Sequence, residues 1–207
     1  LGDVYKRQGY FIYTGGNDSM DTVYKLSVYC EEHNIDDIKV MGAPKTIDND
    51  LGETDHCPGF GSAAKFIATA FTEIACDCFV YDVPSVTIVE VMGRNAGYLA
   101  LWCGIANGAE DILLPEKYDY DEQKLINNII EGRKRGKKHH IIINAEGIGH
   151  SSSMAKRIEA ATGIETRATI LGHVQRGGSP TLRDRVNASA MGYHAVCCLL
   201  YTSDAAD

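Results

Sequence analysis

An α/β fold with a largely parallel sheet is predicted by three observations. Short apolar runs rich in β-branched residues alternate with longer amphipathic stretches along the 207 residues. Glycine-bearing turns follow several of the apolar runs, at the strand ends where parallel sheets bind ligands. The composition, 44% hydrophobic and 23% charged, is that of an ordinary globular protein and excludes disorder, collagen and coiled coil.

In chain order, strands are predicted over 10–13, 38–41, 85–91, 111–114, 140–144 and 169–171, because these runs are short and apolar. Helices are predicted over 18–33, 61–79, 96–107, 121–135, 153–161 and 181–199. In the first, Met20, Val23, Leu26, Ser27 and Cys30 recur at steps that fall on one helix face. Asp18 or Ser19 is expected to cap it, with the acidic first turn suiting the helix dipole.

The formal net charge of -8 argues against a nucleic-acid partner, which wants a basic footprint. Local cations can still dominate at a site, since the Debye length is about 8 Å at physiological salt. Arg133, Lys134, Arg135, Lys137 and Lys138 form the one strongly basic run, read as a solvated turn. No apolar run reaches the roughly 18 residues of a membrane helix, and no signal pattern opens the chain, so a cytoplasmic location is expected. The seven cysteines form no C-x-x-C pair and are read as reduced, buried small hydrophobes. The two ends, 1–8 (LGDVYKRQ) and about 199–207 (LLYTSDAAD), look like translated adapter read-through and are set aside as non-native.

Four groups of residues carry chemistry. Gly15, Gly16, Asn17, Asp18 and Ser19 follow a strand and open a helix, where glycines and helix-terminal amides favour phosphate; a plain Gly-Gly turn fits as well. The loop lacks the spacing and lysine of a Walker motif. Lys45, Thr46, Asp48 and Asp50 gather an ammonium, a hydroxyl and two carboxylates within six residues. There one carboxylate can take a hydroxyl proton, the other can support Mg²⁺ indirectly, and Lys45 can neutralise a phosphoryl group. A solvated Asx-type turn is the alternative. Met92, Gly93 and Arg94 follow the third strand, and Glu146 follows the fifth. Arg167, His173 and Arg176 bracket the sixth. Arginines at strand ends suit a phosphorylated substrate, because guanidinium grips phosphate bidentately.

These motifs resemble the 6-phosphofructokinase family. GGNDS is similar to that family's GGDGS phosphate loop, and PKTIDND to its PGTIDND catalytic loop. VEVMGRNAG, Glu146, ETRAT and GHVQRGGSP follow in the family's order over about residues 9–198. The resemblance implies that Asp48 deprotonates the sugar 1-hydroxyl, that Thr46 orients substrate and phosphoryl group, and that Asp50 supports metal and transition state. It implies that Met92, Gly93, Arg94, Glu146, His173 and Arg176 hold fructose 6-phosphate. It further implies that Arg167 reaches the 6-phosphate of a neighbouring subunit, making the protein at least a dimer, and that Mg²⁺ is the cofactor. The implied architecture is two Rossmann-like three-layer α/β lobes, incomplete at both ends. Residues 9–61 and 175–198 would belong to the phosphoryl-donor lobe and 62–174 to the fructose 6-phosphate lobe.

Asp18 and Lys45 stand where ATP-using members carry glycines. A carboxylate there would repel an α-phosphate, and a lysine would supply charge, so the chain resembles the pyrophosphate-dependent branch. An ATP-dependent enzyme and a non-catalytic sugar-phosphate-binding subunit are the alternatives. A lipid or NAD kinase, similar in its glycine loop alone, leaves MGR and QRGGSP without a purpose. Two residues depart from the family pattern: Asn17 replaces the usual metal-ligating Asp, and Ser85 replaces a second cross-subunit arginine. With the upstream donor segment absent, the 207-residue chain by itself is expected to have little transferase activity.

Overall fold

A computed structural model describes residues 9–117 and 120–204, and its chain divides into two compact units. One comprises residues up to Thr46, Leu51–Gly59 and those from Pro180 onward; the other comprises Ile47–Asp50 and Phe60–Ser179. The boundaries expected from the sequence differ from this division chiefly at Ile47–Asp50 and over 175–179. The outermost predicted segment, 1–8, lies outside the described residues, as do 205–207 of the C-terminal one.

The first unit pairs β1 (Tyr10–Gly15) with β2 (Lys39–Pro44) in parallel, from Tyr10 opposite Lys39 to Gly15 opposite Pro44. Helix α1 (Asn17–Glu32) makes the crossover. Met20 and Val23 lie over Gly42, where a Cβ would come within 2.8 Å of the Met20 sulfur. Of the predicted face, Met20, Val23 and Cys30 are partly covered while Leu26 and Ser27 are exposed, and no residue of α1 is fully buried. Gly16 occupies the N-cap and gives no side-chain bond, so neither Asp18 nor Ser19 caps the helix. Asp18 instead lies in the first turn, where its charge suits the dipole. Helix α6 (Leu182–Asp204) packs on β2 and continues past the predicted end at 199.

The second unit is three-layered. Its sheet has the order β4-β5-β3-β6, all parallel, built from β3 (Ser85–Val91), β4 (Asp111–Leu113), β5 (His139–Ala145) and β6 (Glu165–Ile170). Helices α2 (Phe60–Val80) and α3 (Tyr98–Asn107) cover one face, α4 (Glu122–Lys134) and α5 (Ser151–Thr162) the other. Alternation in β5 serves both layers. Ile141, Ile143 and Ala145 join Ile67, Phe71 and Leu99, while Ile142 joins Ile129, Met154 and Ile158. A strand covered on both faces carries apolar residues in succession. Ile88 and Val89 of β3 and Ile141, Ile142 and Ile143 of β5 made these strands legible, although Thr87, His139, His140 and Asn144 are buried within them too.

Of the boundaries that depart from expectation, two have a visible physical cause. Strand β6 starts at Glu165 rather than 169, with Arg167 inside it opposite Thr87. It is an edge strand with one open side, so polar residues are tolerated and the apolar signal fades. Helix α3 starts at Tyr98 rather than 96, because Gly93 and Arg94 take φ of 141° and 51° and send the chain through a non-helical loop. Asp121 caps α4 by accepting from the Gln123 and Lys124 amides. The basic run closes that helix as an exposed turn, with Lys134, Lys137 and Lys138 paired to Glu131, Glu110 and Asp82.

The cysteine expectation holds only in part. Cys57, Cys78 and Cys103 are buried, and burial pushes the Cys103 thiol up to about 12; Cys76 and Cys198 are exposed, and Cys30 and Cys197 half-buried. No helix among the described residues is long and apolar enough to cross a membrane.

Candidate functional site

The second unit collects ionisable groups at the carboxyl ends of its strands. Asp48 and Asn49 are buried, at 7% exposure each, and Asn49 takes a left-handed backbone. Burial is the main influence that raises the pKa of Asp48 above the usual carboxylate range. The negative charges of Asp50 and Glu146 raise it further, while the guanidinium groups of Arg94 and Arg176 act in the opposite sense. Asp50, Arg94, Glu146 and Arg176, which with Asp48 come from four separate motifs, thus all act electrostatically on Asp48. Such a group can accept a proton at Asp48 beside cations that attract phosphate.

Each is placed by a strand end. Met92, Gly93 and Arg94 follow β3, and the Glu146 carboxylate, after β5, accepts from the Gly93 amide at 3.1 Å and the Arg94 amide at 2.6 Å. A 3-10 helix, Gly172–Arg176, follows β6 and carries His173 and Arg176, both exposed. Gln175 of the same turn is 2% exposed and accepts from the Met92 amide. The sequence of the GHVQRGGSP motif by itself assigns this glutamine no role. The one signal is an uncharged polar residue between the exposed His173 and Arg176.

In the first unit, β1 and β2 end side by side. The Lys45 amide donates to the Gly15 carbonyl at 2.8 Å, and a Cβ at Gly16 would lie 3.5 Å from the Lys45 carbonyl. The glycine turn and Lys45, thirty positions apart, are thereby neighbours. Thr46 is buried and bridges to Gly59. Asn17 and Asp18 are exposed in the first turn of α1, with Ser19 partly covered. A Cβ at Gly15 would collide with the Ser19 side chain at 2.0 Å, so the turn needs glycine there.

Arg167 stands apart from the Asp48 group. Its guanidinium holds Glu165 at 2.7 Å, and it lines a cavity of about 800 Å³ with Glu73, Asp77, Ser85 and Thr87. Ser85 hydrogen-bonds His139 at 2.9 Å. Among the described residues, no cluster of three or more His, Cys, Asp or Glu side chains could hold a metal ion.

Comparison with known proteins gives a consistent result. The family model described as "Phosphofructokinase" matches residues 6–199. "ATP-dependent 6-phosphofructokinase 1" of Clostridium perfringens is 53% identical over 163 residues, covering 79% of this chain and 50% of the relative. "ATP-dependent 6-phosphofructokinase" of Clostridium botulinum is 47% identical over the same length, again covering 50% of the relative. The pyrophosphate-dependent phosphofructokinase structure from Marinobacter aquaeolei superposes with a TM-score of 0.81 at 31% identity, covering 97% of this chain and 54% of that one. The chain spans about half the length of the curated relatives it matches.

Proposed function

Because the chain belongs to the phosphofructokinase family, we propose that its protein transfers a phosphoryl group to the 1-hydroxyl of fructose 6-phosphate, giving fructose 1,6-bisphosphate. The observation that carries this reading is the joint action of Asp50, Glu146, Arg94 and Arg176 on buried Asp48. Asp48 takes the hydroxyl proton as the sugar oxygen bonds to phosphorus and the donor phosphate leaves. A raised proton affinity suits that task. Arg94, Arg176 and His173, with Met92, Gly93 and Glu146, hold the sugar phosphate, and Thr46 orients the reacting groups. Arg167 reaches the substrate of a second subunit, which makes the protein at least a dimer. Mg²⁺ supplies positive charge to the donor oxygens when bound. The negative charges of Asp50 and Glu146 acting on Asp48 fit a nearby cation, with Asp50 as the supporting carboxylate. Asn17 offers only an amide oxygen. The second unit is the sugar-phosphate lobe, the first is the donor lobe, and the protein works in the cytoplasm.

The donor in this reading is pyrophosphate. The support is Lys45 beside the glycine turn and the carboxylate of Asp18 in the first turn of α1. Lysine adds charge for a small anionic donor, and the aspartate opposes a further phosphate. A second reading, ATP as donor, is favoured by the names of the clostridial relatives at 53% and 47% identity. Exchanging donors on the full-length protein separates the two. Phosphorylation with pyrophosphate, and a rate with ATP at least about a hundredfold lower, is expected, in line with rejection by misplaced charge. Turnover with ATP and none with pyrophosphate would overturn the choice of donor.

A further inference from the structure

In the loop 92–94, Arg94 is held in a conformation its residue type does not favour. Gly93 has φ of 141°, and Arg94 has φ of 51°, a left-handed backbone uncommon for a non-glycine residue. All three backbone N–H groups of the loop donate to side chains from other elements. Met92 donates to Gln175 Oε1 at 3.1 Å, and Gly93 and Arg94 donate to Glu146 Oε1. Gln175 is also anchored at its other end, where Nε2 donates to the Gly172 carbonyl at 2.8 Å. One buried amide therefore ties the end of β3 to the 3-10 helix.

We propose that Gln175 is a positioning residue for the sugar-phosphate site, fixing Arg94 and Arg176 relative to each other; this rests on the function proposed above. Arg176 is its chain neighbour, and Arg94 lies two residues beyond the amide it holds. Both guanidinium groups bear on Asp48. Without Gln175 the Met92 N–H, at the buried end of β3, has lost its acceptor, and the strained turn beyond it is free to relax. The cation pair would then lose its spacing while both arginines remained in place.

The test uses full-length protein carrying Gln175→Met, Gln175→Glu, Arg94→Ala and the Gln175→Met/Arg94→Ala pair. Fructose 6-phosphate binding is read by calorimetry, together with KM for each substrate. Gln175→Met is expected to weaken sugar-phosphate binding about tenfold, as for loss of a buried hydrogen bond, with the donor KM within about twofold. In the Arg94→Ala background the same change should move binding by less than about threefold, because Gln175 acts through Arg94. Gln175→Glu loses the donor to the Gly172 carbonyl and buries a carboxylate against it, so it should weaken binding at least as much as Gln175→Met; it decides the matter if the methionine variant does not fold. Full additivity in the pair, or unchanged binding in a folded Gln175→Met or Gln175→Glu protein, overturns the inference. Wild-type protein that binds no fructose 6-phosphate overturns the proposed function instead.

Discussion

Replacing Asp48 by asparagine in the full-length protein is expected to lower kcat by about 10²–10⁴-fold, the usual contribution of a positioned general base. Asparagine keeps the shape and removes the proton acceptor. Asp48 is buried, so the substitution leaves no exposed face to rearrange. Its proton affinity is raised by burial first and then by Asp50 and Glu146, so an asparagine relieves a repulsion and the fold should not suffer. Fructose 6-phosphate binding should persist, since Arg94 and Arg176 remain. Steady-state rates and calorimetry together check both halves. A variant retaining more than about a tenth of wild-type kcat would remove Asp48 from the role of base.

Ile143→Ala is expected to destabilise the second unit by about 2–5 kcal/mol, the range for emptying a packed aliphatic site. Ile143 is fully buried in the layer with Leu99 and Phe71. Gly104 of α3 sits so close that a Cβ there would come within 2.8 Å of the Ile143 Cγ2. Neighbours packed this tightly relax only in part, and the cavity stays open. Trp102, the one tryptophan, lies on α3 in the same unit, against Phe60. Trp102 is itself largely exposed, so unfolding in urea is followed by far-UV circular dichroism, with fluorescence as a second probe. A midpoint shift with an unchanged slope is the expected result, and a loss below about 1 kcal/mol would mean the layer is not packed as described.

The sequence made the central strands plain and the edge obscure, for one physical reason. Strands β3 and β5 are covered on both faces and carry successive apolar residues at their centres, whereas β6 lies at the edge and begins with Glu165, Thr166 and Arg167. The site divided along a similar line. Strand-end loops identified Asp48, Arg94, Glu146 and Arg176, because the chemistry resides in the side chains themselves. The grip of Gln175 on a backbone amide, and of Glu146 on two more, was hidden. Hydrogen bonds between segments 83 positions apart leave no periodicity or spacing to read. Arg167 shows the converse: its charge was legible, but its pairing with Glu165, two residues away on the same strand, was not anticipated.

Chromatographic detection of fructose 1,6-bisphosphate, after incubating the full-length protein with fructose 6-phosphate, Mg²⁺ and either pyrophosphate or ATP, tests the proposed activity most directly. Time-dependent bisphosphate formation, absent in the Asp48→Asn protein, is the predicted result. No bisphosphate with either donor from folded wild-type protein would contradict it.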